Sequence, residues 1–400
     1  MSASPDTVVP VRSRVAVSAA YAAQGLGYAV VVTTLPTFKD RQQIDDTAIA
    51  LIILLVCATA AAGSVVADLI ARRAASRIAL VVGLLLEVAG IAVIWLDAPL
   101  WAFVAAFAVY GVGLGAVDAS SAMQGVLVQR RYGRDLMGGF FAAYTAAAIV
   151  GALAVAGAAA IGASPSAQLA LVVVFALAVA VAGLFLFDRS RAATAPGAAA
   201  PTPLPRRGIW LFGFVILAAF TLDSGVSTWS TVYLQDDLAA VASIAPLGYA
   251  AYQIAILLTR LATDRVADRW GPRPVVIAAT VVSIAGLVVV AALPFAAAAI
   301  VGFALAGVAV GALVPLSFTS AGALAPDRSD EIIARVNLFN YAGAVLGAVV
   351  IGLLADGPGL GLGFLIPAVL LVPVLFMARR FRTAVQSTRT READGASADR

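Results

Sequence analysis

The chain has 400 residues, 62% of them hydrophobic and 12% charged, with a net charge of +4 and a mean hydropathy of +0.99. Several soluble domains would fit that length but not that hydropathy, because a bilayer span needs about 20 apolar residues and segment after segment supplies them. Histidine is absent and Cys57 is the single cysteine, which excludes a zinc site, a histidine-based triad and a disulfide framework within the chain.

Residues 1–11 lack the basic start and cleavage site of a signal peptide, so the first apolar segment reads as a retained helix. Six spans are predicted at roughly 14–37, 47–67, 76–96, 99–128, 138–161 and 166–187, and six more at 208–233, 244–263, 274–293, 295–321, 333–354 and 360–379. Between the two sets lies DRSRAATAPGAAAPTPLPRR, residues 188–207, whose Pro, Ala and Arg content is that of a linker. The expected architecture is therefore an all-α membrane protein with twelve transmembrane helices in two pseudo-symmetric halves. It comprises an N-terminal bundle at 1–187, a cytoplasmic linker at 188–207, a C-terminal bundle at 208–379 and a tail at 380–400 that reads as a basic anchor with a disordered end.

Charge placement orients the chain. With the N-terminus inside, the inside segments are the two tails, the linker and the loops near 68–77, 129–137, 264–273 and 326–335. Of the 26 basic residues, only Lys39 and Arg41 fall away from these segments. The excess of basic residues on one side places both termini in the cytoplasm. It also predicts a multi-pass protein of the cytoplasmic membrane.

The chain repeats itself. A charged loop follows the second span of each half, SVVADLIARRAASR at 64–77 and DRVADRWGPRP at 264–274, and five of the ten residues 264–273 are charged. The fifth and eleventh spans, FFAAYTAAAIVGAL at 140–153 and NLFNYAGAVLGAVV at 337–350, each carry a Tyr about two turns before a Gly. Asp268-Arg269-Trp270-Gly271-Pro272-Arg273 resembles the loop signature of the major facilitator superfamily, with Asp264 standing where that signature has its first Gly. The first-half copy is eroded: Ser64 holds the Gly position, Leu69 replaces the Arg and Ala71 the second Gly, while Asp68, Arg72 and Arg73 remain. The resemblance runs through nearly the whole chain in span count, linker and both loops. It implies that Asp68, Arg72, Asp264, Asp268, Arg269, Gly271 and Arg273 form a cytoplasmic gate; solvated loop charge is the simpler reading of the same residues. The stretches 111–135 and 222–234 are similar to a bacterial branch distantly related to sugar–proton symporters.

Ionisable groups inside a span cost several kcal/mol unless paired, neutralised or wet. Three acids lie deep: Glu87, Asp118 and Asp223; Arg260 lies one turn from the end of its span. Acids without a basic partner suit a proton carrier, and Asp118 and Asp223 are the candidates for proton coupling or substrate binding. The resemblance implies that spans one, four, seven and ten line a cavity. Tyr21, Gln24 and Tyr28 fall near one face of span one, Ser121 lies one turn from Asp118, and Ser224, Ser227, Thr228 and Thr231 share a face of span seven beside Asp223. With Trp229, Tyr252, Gln253, Asn337, Asn340 and Tyr341 they complete the predicted substrate cavity, each with a plain interhelical hydrogen bond, or for Trp229 an interfacial belt, as its alternative. Glu87 reads as structural. The glycines of GVGLG at 111–115 and the pair Gly343 and Gly347 read as close helix packing rather than a nucleotide loop.

The predicted function is a secondary transporter that moves a small solute by alternating access, coupled to protons. Its expected partners are that solute, protons and the lipid bilayer, with no cofactor, no metal and no nucleic acid, and the resemblance implies a monomer. A drug or metabolite exporter on the same architecture stays open, although Phe107 stands where such exporters carry an Arg and residues 140–160 lack their proline. A non-transporting receptor on the same fold also stays open. No constellation calls for an enzyme, and no G-x-x-x-x-G-K-[ST] is present for direct drive by ATP.

Overall fold

In the computed structural model the described backbone comprises residues 8–96, 98–132, 136–163, 166–189, 204–325, 329–355 and 359–381; the side chains of 8–10, 130, 166, 167, 264, 329–331 and 334 are not described. The first half begins with α1 (Val8–Thr33) and a short α2 (Leu35–Gln42), followed by α3 (Asp46–Arg73), α4 (Ser76–Trp95), α5 (Leu100–Tyr132), α6 (Met137–Ala160) and α7 (Ser166–Leu186). The second half holds α8 (Arg206–Val232), α9 (Pro246–Trp270), α10 (Pro272–Ala292), α11 (Ala296–Gly322), α12 (Ser329–Val345), α13 (Ile351–Leu353), α14 (Leu360–Gly363) and α15 (Leu365–Met377). The bounds follow the hydropathy closely. Among the described residues eleven helices are long and apolar enough to cross a membrane. The twelfth span is α9, 25 residues long, whose last turns carry Arg260, Arg265, Asp268 and Arg269 and so dilute its apolar stretch.

The chain forms two compact units, Met1–Gly197 with Ala239–Ala250, and Ala198–Leu238 with Ala251–Arg400. The core of the first holds small and branched residues of α1, α4, α5, α6 and α7, among them Ala16, Val17, Leu80, Leu84, Val117, Phe140 and Ala176.

In lipid no hydrophobic force draws one helix to another, so packing relies on small residues that let backbones approach. The GVGLG run does this on two faces of α5. A Cβ on Gly115 would lie 2.5 Å from the carbonyl carbon of Ala60 in α3, and one on Gly113 would lie 2.5 Å from the Glu87 nitrogen in α4. Ser64, where the loop signature has Gly, sits with its hydroxyl 3.1 Å from the Gly115 carbonyl and adds a polar tie between α3 and α5. The second half repeats the arrangement: a Cβ on Gly307 or Gly311 of α11 would lie 2.5 or 2.8 Å from the Tyr252 or Ile256 carbonyl oxygen of α9, and Gly286 and Gly302 bring α10 against α11. The spans alike in sequence also pack alike. Gly151 of α6 approaches Leu26 of α1, while Gly343 of α12 and Gly347 just beyond it approach Leu217 and Thr221 of α8.

Every backbone group left open within the bilayer needs a partner. Two helices change register to π geometry, at Tyr233–Asp237 and Leu346–Val350. The two basic residues that stand apart from the charged loops have a structural task at a helix end. Arg41 donates to the carbonyls of Ile94 and, at 3.0 Å, Trp95, closing the last turn of α4, and lies over the rings of Phe38 and Phe103. Lys39 pairs with Asp46 in the first turn of α3 at 2.6 Å.

Overpacking a closed helix contact costs about 1–3 kcal/mol. Gly115→Ala is expected to lower the thermal unfolding midpoint of the purified protein clearly. Gly138→Ala, where nothing lies within 4 Å of an added Cβ, leaves the midpoint unchanged or raises it. A melting series in detergent checks the pair.

Candidate transport site

Asp118 is positioned by α5, whose glycines set it against α1. There Gln24, itself 3% exposed, donates Nε2 to Asp118 Oδ1 at 2.6 Å. Asp118 as a residue is exposed although it stands deep in a span. Its hydrogen bond to α1 shows that it faces protein, not hydrocarbon. Tyr21, one turn before Gln24, is 4% exposed, stacks on Phe140 at 5.7 Å and meets Phe141 edge-on at 5.5 Å. Tyr28 is half-buried and Ser121 fully buried. Among the described residues the Ser121 hydroxyl makes no hydrogen bond.

Asp223 of α8 is half-buried and accepts a 2.8 Å hydrogen bond from the hydroxyl of Tyr252, which α9 holds at 0% exposure. Arg260, two turns further along α9, lies within electrostatic range of that carboxyl.

The other predicted residues separate into different tasks. Ser224 donates to the Ala344 carbonyl and Trp229 Nε1 to the Ala348 carbonyl, both at 2.7 Å. The Ala344 carbonyl lies just before the π segment Leu346–Val350 and the Ala348 carbonyl within it, where the regular ladder is interrupted. Trp229 is 0% exposed, so its place is the α8–α12 interface and not an interfacial belt. Ser227, Thr228, Thr231 and Gln253 are also buried; Asn337 and Asn340 are half-buried and Tyr341 is 45% exposed. Glu87, read from sequence as structural, is 3% exposed and faces α5.

The loop residues stand at helix ends. Asp68 and Arg72 form an i,i+4 pair at 2.8 Å, with side chains 42% and 73% exposed, a setting in which an ion pair contributes little. Asp268, Arg269 and Arg273 are exposed and form no ion pair among the described residues; the side chain of Asp264 lies outside the described residues. Gly271 has a clear task. Its N–H closes α9 on the Ala267 carbonyl at 2.8 Å, its φ of +86° lies in the left-handed region, and Pro272 starts α10 where no N–H is needed.

One cluster escaped the sequence reading. Asp188, with a side chain 0% exposed, pairs with Arg131 at 2.9 Å. Gln124 accepts from the Asp188 N–H at 2.8 Å and donates to the Asp188 carbonyl at 3.0 Å and to Ser76 Oγ at 2.8 Å. The group ties α4, α5 and the end of α7 together. Arg131 and Asp188 had been absorbed into loop charge and linker; an acid at the start of an otherwise basic segment was the available signal.

The geometry describes a polytopic helical membrane protein of twelve spans in two halves, each with a carboxyl group held inside a span by a neighbouring helix. Residues 17–245 and 212–399 match the family described as Major Facilitator Superfamily, and the chain belongs to that family of membrane transporters. It is 28% identical over 377 residues to an uncharacterised MFS-type transporter of Yersinia pestis, covering 92% of this chain and 96% of that one. It is 32% identical over 163 residues to an uncharacterised transporter of Sinorhizobium fredii, covering 41% and 43%. In fold it resembles the nucleoside transporter NupG (D323A mutant), with TM-score 0.74, 14% identity and coverage of 92% and 100%. It also resembles FucP in the outward conformation, with TM-score 0.63, 14% identity and coverage of 94% and 100%.

Removing one partner of a buried ion pair leaves an uncompensated charge; with Arg131 partly exposed, the loss is expected to be about 2 kcal/mol after solvent screening. Arg131→Ala should therefore lower the unfolding midpoint. Trp229→Phe, which loses one hydrogen bond of about 1 kcal/mol, should lower it less. Equal melting of both variants and the parent would contradict these assignments.

Proposed function

We propose that the protein is a proton-coupled secondary transporter of a small polar or amphiphilic solute, working by alternating access in the cytoplasmic membrane with both termini in the cytoplasm. The observation that supports it most is Asp118: an exposed residue deep in a span, its carboxyl held by Gln24 rather than by a cation. A group so placed can take a proton from water and release it again at a cost the surroundings regulate. Asp223 is the second coupling residue, with Tyr252 as its hydrogen-bond donor and Arg260 within electrostatic range. The loop residues Asp68, Arg72, Asp264, Asp268, Arg269, Gly271 and Arg273 act as the cytoplasmic gate, making contacts in one state that break in the other. The transporter works as a monomer.

The test is proton movement in vesicles containing the purified full chain, read with an internal pH dye. Nucleosides, deoxysugars, other sugars, amino acids and cationic drugs are added in turn. One solute class is expected to trigger a pH change, and Asp118→Asn or Asp223→Asn to reduce it to the level of empty vesicles. Protons moving with the solute mean symport; protons moving against it mean export. Labelled solute moving in both variants as in the parent, with the same pH change, would overturn the two-aspartate mechanism.

A further inference from the structure

The reading above leaves one deep acid unused, and its surroundings are distinctive. Glu87 is 3% exposed and sits on the face of α4 that packs on α5. The two helices run in a tight register: Gly83 opposite Val117, Glu87 opposite Gly113, Gly90 opposite Tyr110. An added Cβ on Gly113 would stand 3.0 Å from Glu87 Cγ, so the missing side chain at Gly113 is what makes room for the acid. Glu87 therefore lies between the levels of Tyr110 and Asp118 on α5, and within electrostatic range of both.

Neither Glu87 Oε1 nor the Tyr110 hydroxyl, which is 2% exposed, has a hydrogen-bond partner among the described residues. Buried polar atoms are nearly always paired, so two unpaired ones within electrostatic range of each other single out this place. The ionisable groups facing the site are few. From α5 they are Tyr110 and Asp118; from α1, Tyr21 facing Asp118 and Tyr28 facing Tyr110; and from the first turn of α9, Tyr249 facing Tyr110. On α3 only Cys57 lies at comparable depth, and α7 carries no ionisable side chain. No cation stands among them.

We propose that Glu87 and Asp118 form one proton-binding unit in the first half, in which a single proton is shared between the buried carboxyl and the accessible one. This rests on Asp118 being a proton carrier. When Asp118 is ionised toward water, Glu87 is the neutral acid. When the proton passes over, it leaves Glu87 and adds to an Asp118 carboxylate oxygen, so the total charge of the pair is unchanged. The Glu87 carboxylate then accepts a hydrogen bond from Tyr110, whose hydroxyl is otherwise idle. The pair lets the half keep one negative charge inside the bilayer while choosing whether that charge faces the accessible side.

The test needs no solute, so its outcome is independent of the substrate panel. The full chain in lipid vesicles is titrated by pH-difference infrared spectroscopy, which reads the carbonyl stretch of protonated carboxyl groups. The parent is expected to keep such a band at neutral pH. Glu87→Gln, similar in shape, removes it without changing the melting midpoint. Asp118→Asn keeps the band but, with the repelling charge gone, moves its disappearance about one pH unit lower, the scale on which coupled sites titrate. Should Glu87→Gln fail to fold, Tyr110→Phe serves instead, because it leaves both carboxyls in place and shifts the band. A band untouched by Glu87→Gln, unmoved by Asp118→Asn, or indifferent to Tyr110→Phe where that variant is used, would overturn the shared unit.

Discussion

The close approach of α4 and α3 to α5 is the contact on which the first half depends. Gly83, Gly90, Gly111, Gly113 and Gly115 each sit where a methyl group would meet a neighbouring backbone or side chain. In lipid, where apolar surface alone gives helices no reason to associate, such contact supplies dispersion and polar ties that looser packing would forfeit. It also fixes rotation. Once Gly113 faces Glu87, Asp118 is turned toward α1 and Tyr110 toward the level above Glu87. The polar centre of this half is thus a consequence of which residues of α5 have no side chain.

The second constraint is satisfaction of polar groups where water is scarce. The structure meets it mostly with single side-chain donors aimed at carbonyls of the next helix: Ser224 and Trp229 from α8 to α12, Ser283 from α10 to α11, Tyr233 to the Val290 carbonyl. Several of these residues also have the look of a solute-binding set, because a hydroxyl inside a span suits both tasks. At Ser224 and Trp229 the bond goes to a carbonyl before or within an irregular turn, which is a structural task. At the helix ends charge does similar work, with Arg41 closing α4 and the Arg131–Asp188 pair tying α5 to the end of α7.

The two candidate coupling acids sit among different partners. Asp223 accepts a hydrogen bond from the Tyr252 phenol and has Arg260 within electrostatic range. Asp118 accepts one from the Gln24 amide and has a second acid, Glu87, within range. In the proposed mechanism a solute or proton at Asp223 therefore meets a phenol and a cation, whereas at Asp118 it meets an amide and another carboxyl group.

The bounds of the spans, the depth of Glu87, Asp118 and Asp223 and the role of the glycines were legible along the chain, because span length and helix-contact spacing are local properties. Partners were not legible. Gln24 and Asp118 are 94 residues apart, and Tyr252 and Asp223 are 29 apart. Whether such pairs meet depends on how each helix is rotated about its axis. In helices that are apolar nearly all round, periodicity says little about rotation. Tertiary packing therefore decided that Trp229 lies inside, that Asp188 takes Arg131, and that Glu87 faces α5 rather than the lipid. The candidate residues could be named from sequence, but only the interlocking of glycine-lined faces determined which of them face one another.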